Sequence, residues 1–85
     1  LNSAARANAA RALLTEAARD PSVRGRLVAA LTGATRDEKI GLAEVLGASG
    51  AAADEPALEA LTKDSNVDVA TAAVRALRIL RARIR

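Results

Sequence analysis

Three features of the sequence predict an all-α fold. The apolar half of the chain (51%) is Ala, Leu, Val and Ile, with no Phe, Tyr, Trp, Met, Cys or His. Alanine has the highest helix propensity, because it loses no side-chain entropy on folding. No stretch alternates apolar and polar residues with period two, as a half-buried strand would. Helix start and stop signals recur at short intervals along the whole length. At 85 residues the chain holds at most one domain, near the size at which a core supplies only a few kcal/mol of net stability.

Five helices follow from the punctuation. The first runs from about Ser3 to Ala18. Asp20-Pro21 closes it and opens the second, with Asp20 as N-cap and Pro21 at the first helical position, where a missing N–H costs nothing. The second helix ends near Thr32, and Gly33 suits the left-handed residue that follows a helix. Thr35-Arg36-Asp37-Glu38 is a capping-box pattern for the third, which is expected to run to Leu46, with Gly47 and Gly50 behind it as stops. Asp54-Glu55-Pro56 starts the fourth, ending near Lys63. Ser65 or Asn66 caps the fifth, which continues to about Arg83. Acids in the first turns (Asp37, Glu38, Asp54, Glu55, Asp68) and Arg at the end of the last helix fit the helix dipole.

The fifth helix has the clearest periodicity. Asp68, Thr71, Arg75, Arg78 and Arg85 share one stripe, with Ala82 filling the gap. Val67, Ala70, Ala73, Val74, Leu77, Leu80 and Ile84 take the opposite, broader arc. An arc of that width suits a helix that touches neighbours on two sides.

Self-comparison brings out a repeat. "AALT" at Ala29–Thr32 meets "EALT" at Glu59–Thr62 at a shift of 30, and Leu42, Ala43 and Leu46 meet Ala73, Val74 and Leu77 at a shift of 31. The extra residue lies in the turn, where "GAT" becomes "KDSN", and a surface turn tolerates it. A shift of 32 places Leu14 under Leu46, so the first helix resembles the third and fifth. The helix order is then B, A, B, A, B: two and a half units. The large side chains expected between layers are Leu31, Leu42, Leu46, Leu61, Val74 and Leu77.

A period of 30 to 32 residues, built from a short helix, a tight turn and a longer helix, resembles the HEAT-repeat family, in particular the short HEAT-like repeats of the phycobiliprotein-lyase type. The matching residues are Pro56 opening an A helix, "ALEAL" at Ala57–Leu61, Asp64 at the turn, Val67 opening a B helix, "AAVRAL" at Ala72–Leu77 and "VLGASG" at Val45–Gly50. Val67 is followed by Asp68 rather than the family's Arg, and the third helix has Arg36-Asp37 there. "DPSVR" at Asp20–Arg24 looks like the start of a B helix, yet it lies 44 residues before "DSNVD" at Asp64–Asp68, which is not one repeat. The resemblance implies an α-solenoid in which each unit contacts only its neighbours. Leu1, Ile79 and Ile84 leave apolar material at both ends. The chain is then either a fragment of a longer array, as a start at Leu1 rather than Met would suit, or it pairs its ends with something else.

Composition removes several functions. Without His or Cys, zinc, haem and iron–sulfur sites have no ligands of the usual type, and thiol chemistry is absent. Ser3, Ser22, Ser49 and Ser65 fall at caps and turns, and the pairs Asp37-Glu38 and Asp54-Glu55 read as dipole-complementing acids rather than an acid/base or metal site. "GASG" at Gly47–Gly50 lacks the Lys and the preceding strand of a phosphate loop. No catalytic residue, cofactor or metal is expected. No apolar run approaches a membrane span, and the N-terminus lacks the pattern of a signal peptide, so a cytoplasmic location is expected.

Charge is unevenly spread within a net +3. Residues 1–36 carry six Arg against Glu16 and Asp20, residues 37–68 eight acids against Lys39 and Lys63, and residues 69–85 five Arg and no acid. The tail "VRALRILRARIR" could contact phosphates, which makes nucleic-acid binding the rival reading. It lacks an aromatic residue to stack on a base, and the middle of the chain is acidic. As a membrane-surface helix the tail is weaker still, being Ala-rich without Trp or Phe.

The leading expectation is a protein-interaction scaffold, because the resemblance implies partner binding along a groove lined by B helices. Its candidate residues are Lys39 and Glu44 on the third helix and Asp68, Thr71, Arg75 and Arg78 on the fifth. The expected partner is a mixed-charge protein segment, with neighbouring repeats or a second copy at the apolar ends as alternatives.

Overall fold

Capping chemistry sets the helix boundaries in the computed structural model, which describes residues 3–85. Helix α1 spans Ser3–Ala17, α2 Pro21–Ala30, α3 Arg36–Ser49, α4 Glu55–Leu61 and α5 Val67–Ile84, with a 3-10 turn at Ala52–Asp54 ahead of α4. There is no strand among the described residues. Asp20 caps α2 by accepting the Ser22 N–H at 2.9 Å. Thr35 and Glu38 exchange both bonds of a capping box at α3. Asn66, not Ser65, caps α5, taking the N–H groups of Asp68 and Val69. Gly33 has φ 85°, a left-handed conformation that side chains disfavour.

The helices run side by side in a consistent sense. Arg36 at the start of α3 pairs with Asp68 at the start of α5 at 2.5 Å, and Arg83 near the end of α5 donates to the carbonyls of Gly47 and Gly50 at the end of α3. The two helices therefore point the same way. Helix α1 is aligned with α3 in the same manner, through Arg11–Glu44 (2.9 Å) and a 2.6 Å bond from Ser49 Oγ to the Thr15 carbonyl. Helices α2 and α4 lie behind them, α2 against α3 and α4 against α5.

The larger core lies between α3, α4 and α5 and is centred on Leu46, Leu58, Leu80, Val69 and Ala73. A smaller one joins Ala18, Leu27 and Val45. Of the side chains expected inside, Leu46, Leu61 and Leu77 are buried, while Leu31 and Leu42 are half-buried. Val74 is 43% exposed and Val67 76% exposed, so the apolar arc of α5 is turned from the expected one. Its inner side is Val69, Ala73, Ala76, Leu77 and Leu80.

Gly47 explains that rotation. It is not a helix stop: α3 continues to Ser49, and Gly47 is buried against α5. A Cβ at Gly47 would stand 2.9 Å from both Cα and Cβ of Ala76. Glycine thus lets α5 approach α3 along its Ala76 side, which turns Val74 outward. Leu1 lies outside the described residues.

Two arginines tie the helix ends to their surroundings. Nη1 of Arg24 donates at 3.0 Å to the carbonyls of Ala18 and Arg19, and its Nε lies 3.2 Å from Asp54 Oδ2. That carboxylate also accepts the Ala51 N–H at 2.8 Å. Asp54 is therefore the partner of a largely buried guanidinium, not an exposed acid complementing a dipole. Arg83 does the corresponding work at the end of α3.

Candidate protein-binding groove

The side-by-side placement of α3 and α5 leaves an open groove of about 680 Å³ between them. Its floor is apolar and shallow: Ile40 and Ala48 from α3, with Ala72, Ala76 and Ile79 from α5. Small side chains keep it open, and Ile79 is 53% exposed beside it. The rim is charged with both signs, by Arg36, Glu44, Asp68 and Arg75, together with the Thr71 hydroxyl.

The rim groups differ in how firmly they are held. Asp68 is bound to Arg36, which also pairs with Asp37. The Asp68 and Asp37 carboxylates raise the Arg36 guanidinium above its ordinary value. Glu44 is bound to Arg11 of α1. No hydrogen bond or ion pair to Arg75 is found among the described residues, so it is the rim cation open to a partner.

The sequence-predicted site residues thus fall into two groups. Glu44, Asp68, Thr71 and Arg75 line one groove. Lys39 points elsewhere, its ammonium 2.8 Å from Asp64 in the turn before α5. That bond, with the Asn66 N–H, holds the Asp64 carboxyl below its ordinary value. Arg78 lies on the other side of α5 with Val74, Leu77 and Arg85. Sequence reasoning missed Arg36, Ile40, Ala48, Ala72, Ala76 and Ile79 as groove residues. The three- and four-residue spacing of Arg36, Ile40, Glu44 and Ala48, and of Asp68, Ala72, Ala76 and Ile79, was the available signal.

The arginine tail is less free than its sequence suggests. Arg81 is held by Glu55 at 3.0 Å and Glu59 at 3.1 Å, and both carboxylates raise its guanidinium above the ordinary value. Arg83 is occupied with the α3 carbonyls. Of the serines, Ser22 bonds its own cap and Ser49 bonds Thr15. Among the described residues, no cluster of acids could hold a metal ion, no buried side-chain N or O lacks a partner, and no helix is long and apolar enough to cross a membrane.

Comparison of the chain with protein-family models, with curated proteins and with solved structures found no match. The likeness to HEAT repeats accordingly rests on the residues and their spacing.

Proposed function

We propose that the chain is a non-catalytic protein-interaction module, a short HEAT-like α-solenoid of the cytoplasm, which holds a mixed-charge segment of a partner protein in the α3–α5 groove. The observation that carries this reading is the groove itself: an apolar floor between two co-directional helices, rimmed by Arg36, Glu44, Asp68 and Arg75. An apolar strip gives a partner something to bury, and opposed charges on the rim set its register more than its affinity. The solenoid reading is supported by the repeated shift of about 31 residues and by the alignment of α1, α3 and α5. Each charge on so exposed a rim adds on the order of 1 kcal/mol or less.

Binding to nucleic acid is the second reading, favoured only by the arginine-rich tail. With Arg81 and Arg83 engaged within the fold, Arg75, Arg78 and Arg85 remain for phosphates. Three contacts would give a log–log salt slope of only about −3.

Selection of a random-peptide library on the purified domain, beside titration with a random DNA duplex at about 150 mM salt, separates the two. The interaction reading expects peptides that no longer bind when Ala72→Trp fills the groove, and that weaken with Arg75→Glu. Sub-micromolar duplex binding that vanishes in an Arg75→Ala/Arg78→Ala variant would overturn it.

A further inference from the structure

The side of α5 turned away from α3 is a second, separate surface. Val74 and Arg78 lie two residues to either side of Ala76, which in an α-helix places them roughly opposite the α3 contact. The exposed Val74 and Ala82, with only the edge of the buried Leu77 between them, form a narrow apolar strip in an open depression of about 610 Å³ that Thr62 at the end of α4 also lines. Arg78, Arg81 and Arg85 border it, and no carboxylate lines it. No partner for Arg78 or Arg85 is found among the described residues, and Arg81 is already bound to Glu55 and Glu59.

We propose that this face docks an acidic amphipathic helix of a partner protein, through the exposed Val74 and Ala82 and the Arg78 and Arg85 guanidinium groups. The repeat register argues against another unit of the same kind. At a shift of 31, Ala43 and Leu46 correspond to Val74 and Leu77, and Gly47 corresponds to Arg78. The close approach of α5 to α3 depends on the glycine, since a Cβ there already meets Ala76 at 2.9 Å. An arginine at the equivalent point forbids the same approach. A phosphate backbone would satisfy the arginines but leave the apolar strip uncovered. A helix with leucines on one face and glutamates beside them satisfies both.

The test is a titration of the isotopically labelled protein with a synthetic helix carrying leucines on one face and flanking glutamates, and with its lysine-for-glutamate counterpart, at about 50 mM salt. The acidic helix should shift the amide signals of Val74, Arg78, Ala82, Arg85 and Thr62, leaving Ile40, Glu44 and Ala72 in the α3–α5 groove unmoved. Arg78→Glu and Arg85→Glu, each exposed and checked for native helicity, should weaken it about tenfold, and Arg78→Lys should restore most of the loss. The lysine helix should not bind. The proposal is overturned by the absence of shifts, by shifts in the α3–α5 groove instead, by equal binding of the lysine helix, by self-association through this face, or by duplex DNA binding more tightly than the acidic helix.

Discussion

Gly47 of α3 and Ala76 of α5 are in direct backbone contact: a Cβ at the glycine would also meet the Ala76 carbonyl oxygen at 3.0 Å. This contact fixes the rotation of α5, and with it which residues line the α3–α5 groove and which face outward. Gly47→Ala should therefore destabilise the fold. Overpacking costs about 1 to 3 kcal/mol, against a gain of about 0.5 to 1 from replacing a helical glycine. Gly25 in α2 has nothing within 4 Å of its would-be Cβ. Gly25→Ala should stabilise by about 0.4 to 1 kcal/mol. Urea midpoints of the two variants should move in opposite directions.

Leu46, Leu77 and Val74 share the apolar pattern of a core but differ in burial. Leu46→Ala and Leu77→Ala should each cost about 2 to 5 kcal/mol, since Ala neighbours cannot collapse into the gap. For a domain of this size, that loss could unfold it. Val74→Ala should cost under about 1 kcal/mol, because the side chain is exposed. A loss at Val74 as large as that at Leu77 would show the helix to be turned the other way.

The buried ion pair gives a third prediction. Arg24 and Asp54 keep side-chain exposures of only 15% and 9%. Asp54→Ala would leave a guanidinium half-satisfied inside the protein and the Ala51 N–H without its acceptor. The expected loss is about 2 to 4 kcal/mol. Asp37→Ala, at an exposed pair, should change the urea midpoint little.

Much of the fold was legible because caps are local chemistry. Thr35 with Glu38, Asp20 with Pro21, and Gly33 each act within a few residues, and each stands as their sequence suggested. What was not legible depended on distant packing. Gly47 reads as a stop because "GASG" is glycine-rich, yet its role is set by Ala76 across the groove. Asp54 reads as a first-turn acid, yet its partner Arg24 lies on another helix. For the same reason Lys39, on an apparently free stripe, is held by Asp64, while four of the six candidate residues meet at one groove.

Stability should fall in acid through carboxylates held ionised by their partners. The Lys39 ammonium lowers the Asp64 carboxyl, and the Ser22 N–H and hydroxyl lower that of Asp20. A carboxylate depressed in the folded state contributes stability above its unfolded value, about 3.9, and loses it as the pH drops through the folded value below that. Thermal melting should be nearly flat from about pH 7 to 5 and fall below about pH 4. Asp64→Asn should lower the plateau and make the acid fall shallower. An unchanged acid limb in that variant would remove the Lys39–Asp64 bond from the account.

The most direct test of the interaction reading is amide chemical-shift mapping of the domain with a peptide selected on it from a random library. Perturbations should concentrate at Ile40, Glu44, Ala72, Arg75 and Ile79, and should be lost in the Ala72→Trp variant. Perturbations that avoid the α3–α5 groove, or that survive filling it, would contradict the claim that this groove holds the partner.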